Sequence, residues 1–211
     1  MDGDIAPLAG LVELAERYDC LLMLDEAHAI GALGPGGKGL AASLGLEGRV
    51  PVLMGTLSKA LGGFGGYAAG SAELRDFLVN TSRSFIFATA LPPASAACAM
   101  AALDVLEESP ELPVKLQGNA EALRKRLRAA GFNTLNSETQ IIPVVVGDAS
   151  RTVEMSRLLL ERGILATAIR PPTVADGTSR VRVAVMATHT DKDLDLAADA
   201  FTESGRSLGV I

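Results

Sequence analysis

The segment "GTLSKALGGFGGYAAG", residues 55–70, places a single lysine, Lys59, just after an apolar run and inside a glycine-rich stretch. Lysine ordinarily stays on solvated surfaces, whereas glycine allows a backbone to turn sharply and to approach a ligand closely. Taken alone, the segment is compatible with a phosphate contact or with a solvated loop lysine. The choice between these interpretations depends on what the neighbouring segments place beside Lys59.

Two apolar runs are predicted to be neighbouring strands that end close to this lysine. These runs are "CLLMLDEA" (20–27) and "VPVLMGTL" (50–57). Their composition is typical of buried strands in a parallel sheet. Asp25 and His28 leave the first strand, and Thr56 and Lys59 leave the second. Open α/β sheets bind ligands at the carboxyl ends of their strands, so we expect these side chains to lie together at that edge of the sheet. The alternative for Asp25 is that its carboxylate only caps the next turn.

These four side chains fit one chemistry, that of pyridoxal phosphate held as a Schiff base on a lysine. A buried carboxylate such as Asp25 keeps the ring nitrogen of the cofactor protonated, since an opposite charge within ~4–6 Å shifts a pKa by roughly 1–3 units. His28 can hydrogen-bond the phenolic oxygen of the ring. The pKa of free lysine is ~10.4, so a desolvated and cationic neighbourhood favours the unprotonated amine that Lys59 needs.

The chain is predicted to form two domains, with a boundary near residue 110, where "SPELP" (109–113) interrupts the pattern. Residues 1–110 are predicted to be α/β with a mostly parallel sheet, and residues 111–211 to be a smaller α+β domain. In the first domain, periodicity and early prolines predict helices over 7–18, 72–82 and 92–108 and a third strand over 65–71. In the second, helices are predicted over 114–131, 150–163 and 190–209, and strands over 140–148, 164–170 and 179–187. Ser71 is predicted to be an N-cap, and Thr190 with Asp193 to form a capping box.

Composition excludes several classes of function. The 211 residues carry a net charge of −6 without any basic block, which argues against nucleic acid as a partner. No apolar run reaches the ~18 residues of a membrane helix, and the acidic opening "MDGDIAP" differs from a secretory leader. Because no run is long enough to span a membrane, we expect no membrane partner. Cys20 and Cys98 are predicted to be core residues in a reducing, cytoplasmic compartment. The cysteines and histidines do not have the spacing of a metal site, so we expect no bound metal.

The segment "GPGGKG" (34–39) matches a dinucleotide-binding pattern only superficially. That fingerprint joins a strand directly to a helix, whereas here several residues intervene and Pro35 lies inside the motif. A phosphate-binding P-loop is disfavoured as well, because Lys38 is followed by Gly39 rather than by serine or threonine. We therefore predict a mobile surface loop, with a nucleotide-binding module as the minor alternative.

The motifs together resemble a known family, the α-oxoamine synthases. The resemblance rests on "MDGDIAPL", "LDEAHAIGALGPGGKG", "GTLSKALGGFGGYAAGS", "FIFATALPPA" and "AIRPPTVADGTSRVRVAVMATHT", in this order along the chain. It implies a fold-type I pyridoxal-phosphate enzyme that condenses a small amino acid with an acyl thioester and releases carbon dioxide. It also implies part of a large, mostly parallel-sheet domain followed by a small C-terminal α+β domain.

Within the family, "IRPPTV" and "GTSRVRV" are most similar to the biotin-pathway members, which join L-alanine to a pimeloyl thioester carried by CoA or an acyl carrier protein. The ending "GRSLGVI" is also similar to members that use glycine and acetyl-CoA, and this alternative stays open. The resemblance implies that Lys59 carries the cofactor and moves the proton at the substrate Cα, with Asp25 on the ring nitrogen and His28 on the ring oxygen. The further roles that it implies are phosphate binding by Thr56 and Thr89 and substrate binding by Arg182, Thr173 and Arg170. For Arg170 and Arg180, a solvated loop charge is the alternative, and for His189 a structural role is favoured.

The chain resembles only the C-terminal half of this architecture, since family members are nearly twice as long. We expect a homodimer for the full-length protein and no turnover for residues 1–211 alone. A non-catalytic partner subunit is the alternative from a different class of function.

Overall fold

The computed structural model describes residues 1–211 and divides into two compact units. The first unit is Ala6–Pro113, and the second joins Val114–Ile211 to the segment Met1–Ile5. The predicted domains, 1–110 and 111–211, differ from these units at the start of the chain, because the first five residues pack with the second unit.

The first unit alternates short strands with helices and turns. Its helices are α1 (Leu8–Arg17), α2 (Leu40–Ser43), α3 (Ala72–Thr81), α4 (Arg83–Ile86) and α5 (Pro93–Glu108), and its strands are β1 (Met23–Asp25), β2 (Val52–Thr56) and β3 (Gly66–Gly70). The predicted N-cap of α3 is confirmed, since Ser71 Oγ accepts a hydrogen bond from the Leu74 N–H at 3.2 Å. The next helix, α6 (Glu111–Ala129), begins inside the segment predicted to be a break.

The sheet of the first unit is mixed and has the order β1-β2-β3. As predicted, β1 and β2 are parallel, whereas β3 runs antiparallel to β2. The prediction of a buried strand over 20–27 is wrong in two respects. Only Met23–Asp25 form the strand, and the side chains on one of its faces are exposed, with Leu21 and Met23 75% and 62% accessible. The physical reason is that no helix or strand of this chain packs on that face of β1, so its side chains remain in contact with solvent.

The opposite face of β1 packs on the hydrophobic core of the first unit. This core consists of Leu8, Val12, Ala29, Leu40, Ala41, Leu46 and Val50, with Leu22, Leu24 and Leu53 packed against it. Successive side chains of a strand alternate between faces. Leu22 and Leu24 therefore point inward, and Asp25 points away from the core. The prediction that Cys20 and Cys98 are core residues is wrong, because both are exposed.

The second unit is an antiparallel sheet of order β4-β6-β5 covered by helices. Its elements besides α6 are β4 (Ile141–Gly147), α7 (Ala149–Glu161), β5 (Thr167–Ile169), β6 (Ser179–Ala184) and α8 (Asp191–Ser207). The predicted capping box of α8 is confirmed, because the Thr190 side chain and the Asp193 side chain each accept the backbone N–H of the other residue. None of the helices in the chain has both the length and the apolar character needed to cross a bilayer.

The segment Met1–Ile5 is anchored to the second unit by backbone and side chain. The carbonyl of Gly3 accepts hydrogen bonds from the N–H groups of Glu138 and Thr139, at 2.8 and 3.1 Å. A Cβ atom at Gly3 would lie 1.9 Å from the carbonyl oxygen of Ile141, and the φ of Gly3 is +67°. Only glycine fits this position, because both the space and the backbone angle exclude a side chain.

Candidate functional site

The ends of β1 and β2 bring two of the predicted site residues to one edge of the sheet. Asp25 is the last residue of β1, Thr56 is the last residue of β2, and the two strands are parallel. The register pairs Asp25 with Met54, which lies two positions before Thr56. Since side chains two apart on a strand share a face, Asp25 and Thr56 project from the same face of the sheet, away from the core.

Lys59 lies in a closed turn directly after β2. Its exposed side chain donates a hydrogen bond from Nζ to Thr56 Oγ1 at 3.1 Å. The turn is tied across its base, because the Leu57 N–H donates to the Gly65 carbonyl at 2.9 Å and the Gly63 N–H to the Leu57 carbonyl at 2.7 Å. The backbone thus holds the start of the side chain in place, and the amine at its end stays accessible.

Asp25 and His28 are joined by the turn that follows β1. Asp25 Oδ1 accepts the N–H of Ala27 at 2.8 Å, so the capping role considered as an alternative is present. Both Asp25 and His28 are exposed, so the prediction of a buried carboxylate at Asp25 is wrong for this chain, since no layer covers that face of the sheet. A carboxylate has two oxygens and several lone pairs, so capping by Oδ1 is compatible with a second partner for Asp25.

Thr89 lies in the exposed segment between α4 and α5 and has a φ of +63°. Positive φ is a genuine outlier for a β-branched residue, and such strain persists mainly at functional sites. Its predicted role in phosphate binding remains a prediction.

The predicted substrate-binding residues belong to the second unit. Arg182 lies in β6 between Pro143 of β4 and Thr167 of β5, and it is half-buried. Arg170 follows β5 and is exposed, and its carbonyl accepts the N–H of Thr173 at 3.0 Å in a turn.

Arg180, two positions before Arg182, is not a solvated loop charge. It is buried, 7% exposed, and its guanidinium forms an ion pair with Asp2 and donates from Nε to the Thr178 carbonyl at 3.0 Å. The two arginines of this strand therefore have different environments. Arg180 is engaged within the unit, whereas Arg182 has the accessible guanidinium.

The segment "GPGGKG" is partly folded into the first unit, with Pro35 and Lys38 exposed and two of its glycines buried. Gly37 and Gly39 are buried, the Gly31 N–H donates to the Gly37 carbonyl at 2.7 Å, and the Gly39 N–H donates to the Leu33 carbonyl at 2.8 Å. The prediction of a surface loop is wrong for these residues, because glycines in left-handed conformations let the chain pack closely here.

Sequence reasoning missed Glu26, which is 2% exposed beside Asp25. Strand alternation contained the signal, since a residue two positions after Leu24 falls on the core face of β1. A carboxylate on such a face requires hydrogen-bond partners, and the glycine-rich segment supplies them.

A family model described as aminotransferase class I and II matches residues 1–201. The chain belongs to the aminotransferase class I and II family. It is 50% identical to the 8-amino-7-oxononanoate synthase of Citrifermentans bemidjiense and 51% identical to that of Pelobacter propionicus. Each match covers the whole chain, and the chain spans about half the length of these curated relatives, 55% and 54%. That it corresponds to their C-terminal half stays a prediction.

Solved structures support the same fold. A serine palmitoyltransferase from S. paucimobilis, solved with a bound PLP–myriocin aldimine, has a TM-score of 0.94 and 33% identity, with 100% of this chain and 54% of that chain covered. An 8-amino-7-oxononanoate synthase from Francisella tularensis has a TM-score of 0.80 at 23% identity, with 95% and 59% covered, which supports the fold alone. The predicted fold class, α/β of the fold-type I PLP-transferase kind, is confirmed.

Proposed function

We propose that the chain is the lysine-bearing part of a pyridoxal-phosphate-dependent C-acyltransferase of biotin biosynthesis. The reaction would condense L-alanine with a pimeloyl-type acyl thioester and release carbon dioxide. The observation that carries the proposal is the arrangement of Lys59, Thr56 and Asp25 at adjacent strand ends, in a chain 50% identical to an 8-amino-7-oxononanoate synthase over its whole length. Because the chain spans about half the length of that relative, we expect turnover only in the completed, dimeric protein, in the cytoplasm.

The donor set of the first unit fits pyridoxal phosphate. An accessible primary amine, a threonine hydroxyl 3.1 Å from it and a carboxylate on the same sheet face are the groups that hold such a cofactor. When bound, the cofactor supplies an electron sink for charge that develops at the amino-acid Cα. Asp25 would keep the pyridine nitrogen protonated, and His28 would contact the ring oxygen.

The remaining residues have roles in phosphate and substrate binding. Thr56 and Thr89 would bind the phosphate, and Lys59 would hold the cofactor covalently and move the proton at the substrate Cα. Arg182 would bind the amino-acid carboxylate, since a guanidinium forms bidentate hydrogen bonds with a carboxylate. Thr173 and Arg170 would line the substrate channel.

The assignment of Lys59 is tested by reductive labelling. Borohydride treatment of the chain incubated with pyridoxal phosphate is expected to add a pyridoxyl group to the peptide that contains Lys59, as read by mass spectrometry. Lys59→Ala should lose this label and the associated absorbance near the visible edge. Label on the exposed Lys38 instead of Lys59 would contradict the assignment.

The alternative functions are distinguished by a graft. When residues 1–211 replace the matching part of a complete homologue, the proposed function requires coenzyme A release with L-alanine and a pimeloyl thioester. Release with glycine and acetyl-CoA would instead indicate a 2-amino-3-ketobutyrate CoA ligase, which the "GRSLGVI" ending favours. A folded graft without either activity would favour a non-catalytic subunit, which the half-length match favours.

A further inference from the structure

Glu26 is a buried carboxylate whose two oxygens are both engaged. Oε2 accepts the N–H of Leu40 and Oε1 accepts the N–H of Ala41, each at 2.9 Å. A buried charge is costly unless it is paired or hydrogen-bonded, and the first N–H groups of a helix have no intrahelical acceptor. Glu26 and the start of α2 therefore satisfy each other.

The backbone of Glu26 is equally engaged, and it connects β2 with the turn after β1. Its N–H donates to the Met54 carbonyl at 2.7 Å, and its carbonyl accepts the N–H groups of Ala29 and Ile30 at 2.8 and 2.9 Å. That turn contains His28, and the preceding residue is Asp25. Glu26 thus joins three parts of the first unit at the point where the predicted cofactor contacts leave the sheet.

The side chain of Glu26 points to the face opposite Asp25, and on that face β2 and β3 also pack closely on each other. Gly55 of β2 pairs with Tyr67 of β3, and a Cβ at Gly55 would lie 2.4 Å from the Tyr67 ring. Burial raises the pKa of Tyr67, and the negative charge of Glu26 raises it further. Glycine at position 55 leaves the room that the Tyr67 ring occupies.

Gly39 lies directly against the carboxylate of Glu26. Its φ is +100°, and a Cβ there would lie 2.9 Å from both carboxylate oxygens of Glu26. A glycine at this position of the "GPGGKG" segment is therefore required for the carboxylate to reach α2.

We propose that Glu26 is a positioning residue for the cofactor site: its carboxylate, held by the N–H groups of Leu40 and Ala41, fixes the strand end and turn from which Asp25 and His28 project. The inference rests on the proposed function for the identity of the ligand. It does not depend on that function for the geometry of Asp25.

The test uses two variants of the 211-residue chain and two matched controls. Glu26→Gln keeps the shape of the side chain but turns one acceptor into a donor that faces an N–H group. Gly39→Ala keeps the glutamate at position 26 but adds a methyl group that would displace its carboxylate. The controls are the exposed Glu47→Gln and Gly36→Ala, since Gly36 also has a positive φ, +59°, but no atom within 4 Å of its Cβ position.

The primary measurement is hydrogen exchange of the Ala27 amide without cofactor, because this N–H donates to Asp25 Oδ1 and reports the position of that carboxylate. In both variants, Ala27 is expected to exchange at least about tenfold faster, relative to the Val12 amide of α1 in the same unit. The controls should leave the ratio unchanged. If Leu40 and Ala41 lose protection while Ala27 keeps it, Glu26 only caps α2 and the proposal is overturned.

The second measurement is the dissociation constant of pyridoxal phosphate from an absorbance titration. Glu26→Gln and Gly39→Ala should weaken binding about tenfold, and the controls should bind as the unaltered chain does. Wild-type affinity in a variant with a displaced Ala27 amide would overturn the link to the cofactor. Absence of Lys59 labelling in the unaltered chain would instead contradict the proposed function. In that case, the exchange rate of the Ala27 amide relative to that of Val12 would still decide whether Glu26 positions Asp25. If Glu26→Gln does not fold, the pair Gly39→Ala and Gly36→Ala decides the question.

Discussion

Arg180 and Arg182 differ by two positions on one strand, yet their surroundings assign them different tasks. Both side chains project from the same face of β6, since residues two apart share a face. Arg180 is buried and paired with Asp2. The side-chain partner of Arg182 is the sulfur of Met1, which lies 3.7 Å from Nη1 of the guanidinium. A paired and buried guanidinium is committed to the fold, and a half-buried one is available to a carboxylate.

We expect Arg182→Ala to raise the KM for the amino acid by about one to two decades in the grafted, complete enzyme. An arginine–carboxylate hydrogen-bonded pair contributes roughly 1.5–3 kcal/mol, and each 1.4 kcal/mol is about tenfold. Steady-state kinetics with varied amino acid checks this result, and the cofactor absorbance should not change.

Arg180→Ala is the matched control on the same strand. It should lower the free energy of unfolding, because it removes the buried partner of Asp2, and it should not raise KM selectively. An unchanged KM in Arg182→Ala would assign Arg182 to structure.

At the level of elements, a carboxylate stabilises the start of each of the helices α7 and α8: Asp148 is the N-cap of α7, and Asp193 belongs to the capping box of α8. The Ser150 hydroxyl and the Arg151 N–H donate to Asp148 and lower the pKa of its carboxyl. The Thr190 N–H and hydroxyl do the same for the pKa of Asp193. A charged cap also interacts favourably with the helix dipole.

Because these folded-state pKa values are lowered, the caps stabilise the fold above the unfolded value of ~3.9, and this contribution is lost as the pH falls through the lower folded value. Asp148→Ala should therefore be less stable than the unaltered chain at pH ~6, and the difference should shrink below pH ~3.9. Urea unfolding monitored by circular dichroism at several pH values measures it. The control is Asp199→Ala, which removes an exposed carboxylate from the interior of α8 rather than from a helix start. An equally large difference for Asp148→Ala at low pH would argue against a charged cap.

At the level of the whole molecule, the two units bury their apolar side chains unequally. In the second unit, α7 packs on all three strands and on α8, and Ile142, Val181 and Phe201 are fully buried. The first unit exposes several large apolar side chains by more than half, namely Leu21, Met23, Phe64, Phe77, Phe85, Phe87 and Met100. Apolar patches beyond a few hundred Å² are uncommon on soluble monomers and usually mark interfaces.

We therefore predict that residues 1–211 self-associate and release no coenzyme A from an acyl thioester with alanine or glycine. Light scattering after size-exclusion chromatography gives the mass in solution, and a thiol assay detects coenzyme A. Limited proteolysis should cut the first unit before the second, since the second is the better covered. A monomer that releases coenzyme A would contradict two predictions: that residues 1–211 alone are inactive, and that the exposed apolar side chains of the first unit form an interface.

Caps, apolar runs and strand ends in the sequence were sufficient to predict those parts of the fold that depend on interactions between residues close along the chain. Helix starts at Ser71 and Thr190, the parallel pair β1 and β2, and the common edge of Asp25 and Thr56 all follow from caps, apolar runs and strand ends. These features depend on hydrogen bonds and side-chain periodicity within a few residues, so the order of residue types is enough to predict them.

Only the tertiary structure decided which polar residues are buried and what they bind. Glu26 meets Leu40 and Ala41 fourteen and fifteen residues away, and Arg180 meets Asp2 from the other end of the chain. The direction of β3 and the exposure of β1 were likewise decided by what lies beside each strand. The physical reason is that desolvation of a charge or of an apolar face depends on long-range neighbours, which a local pattern does not contain.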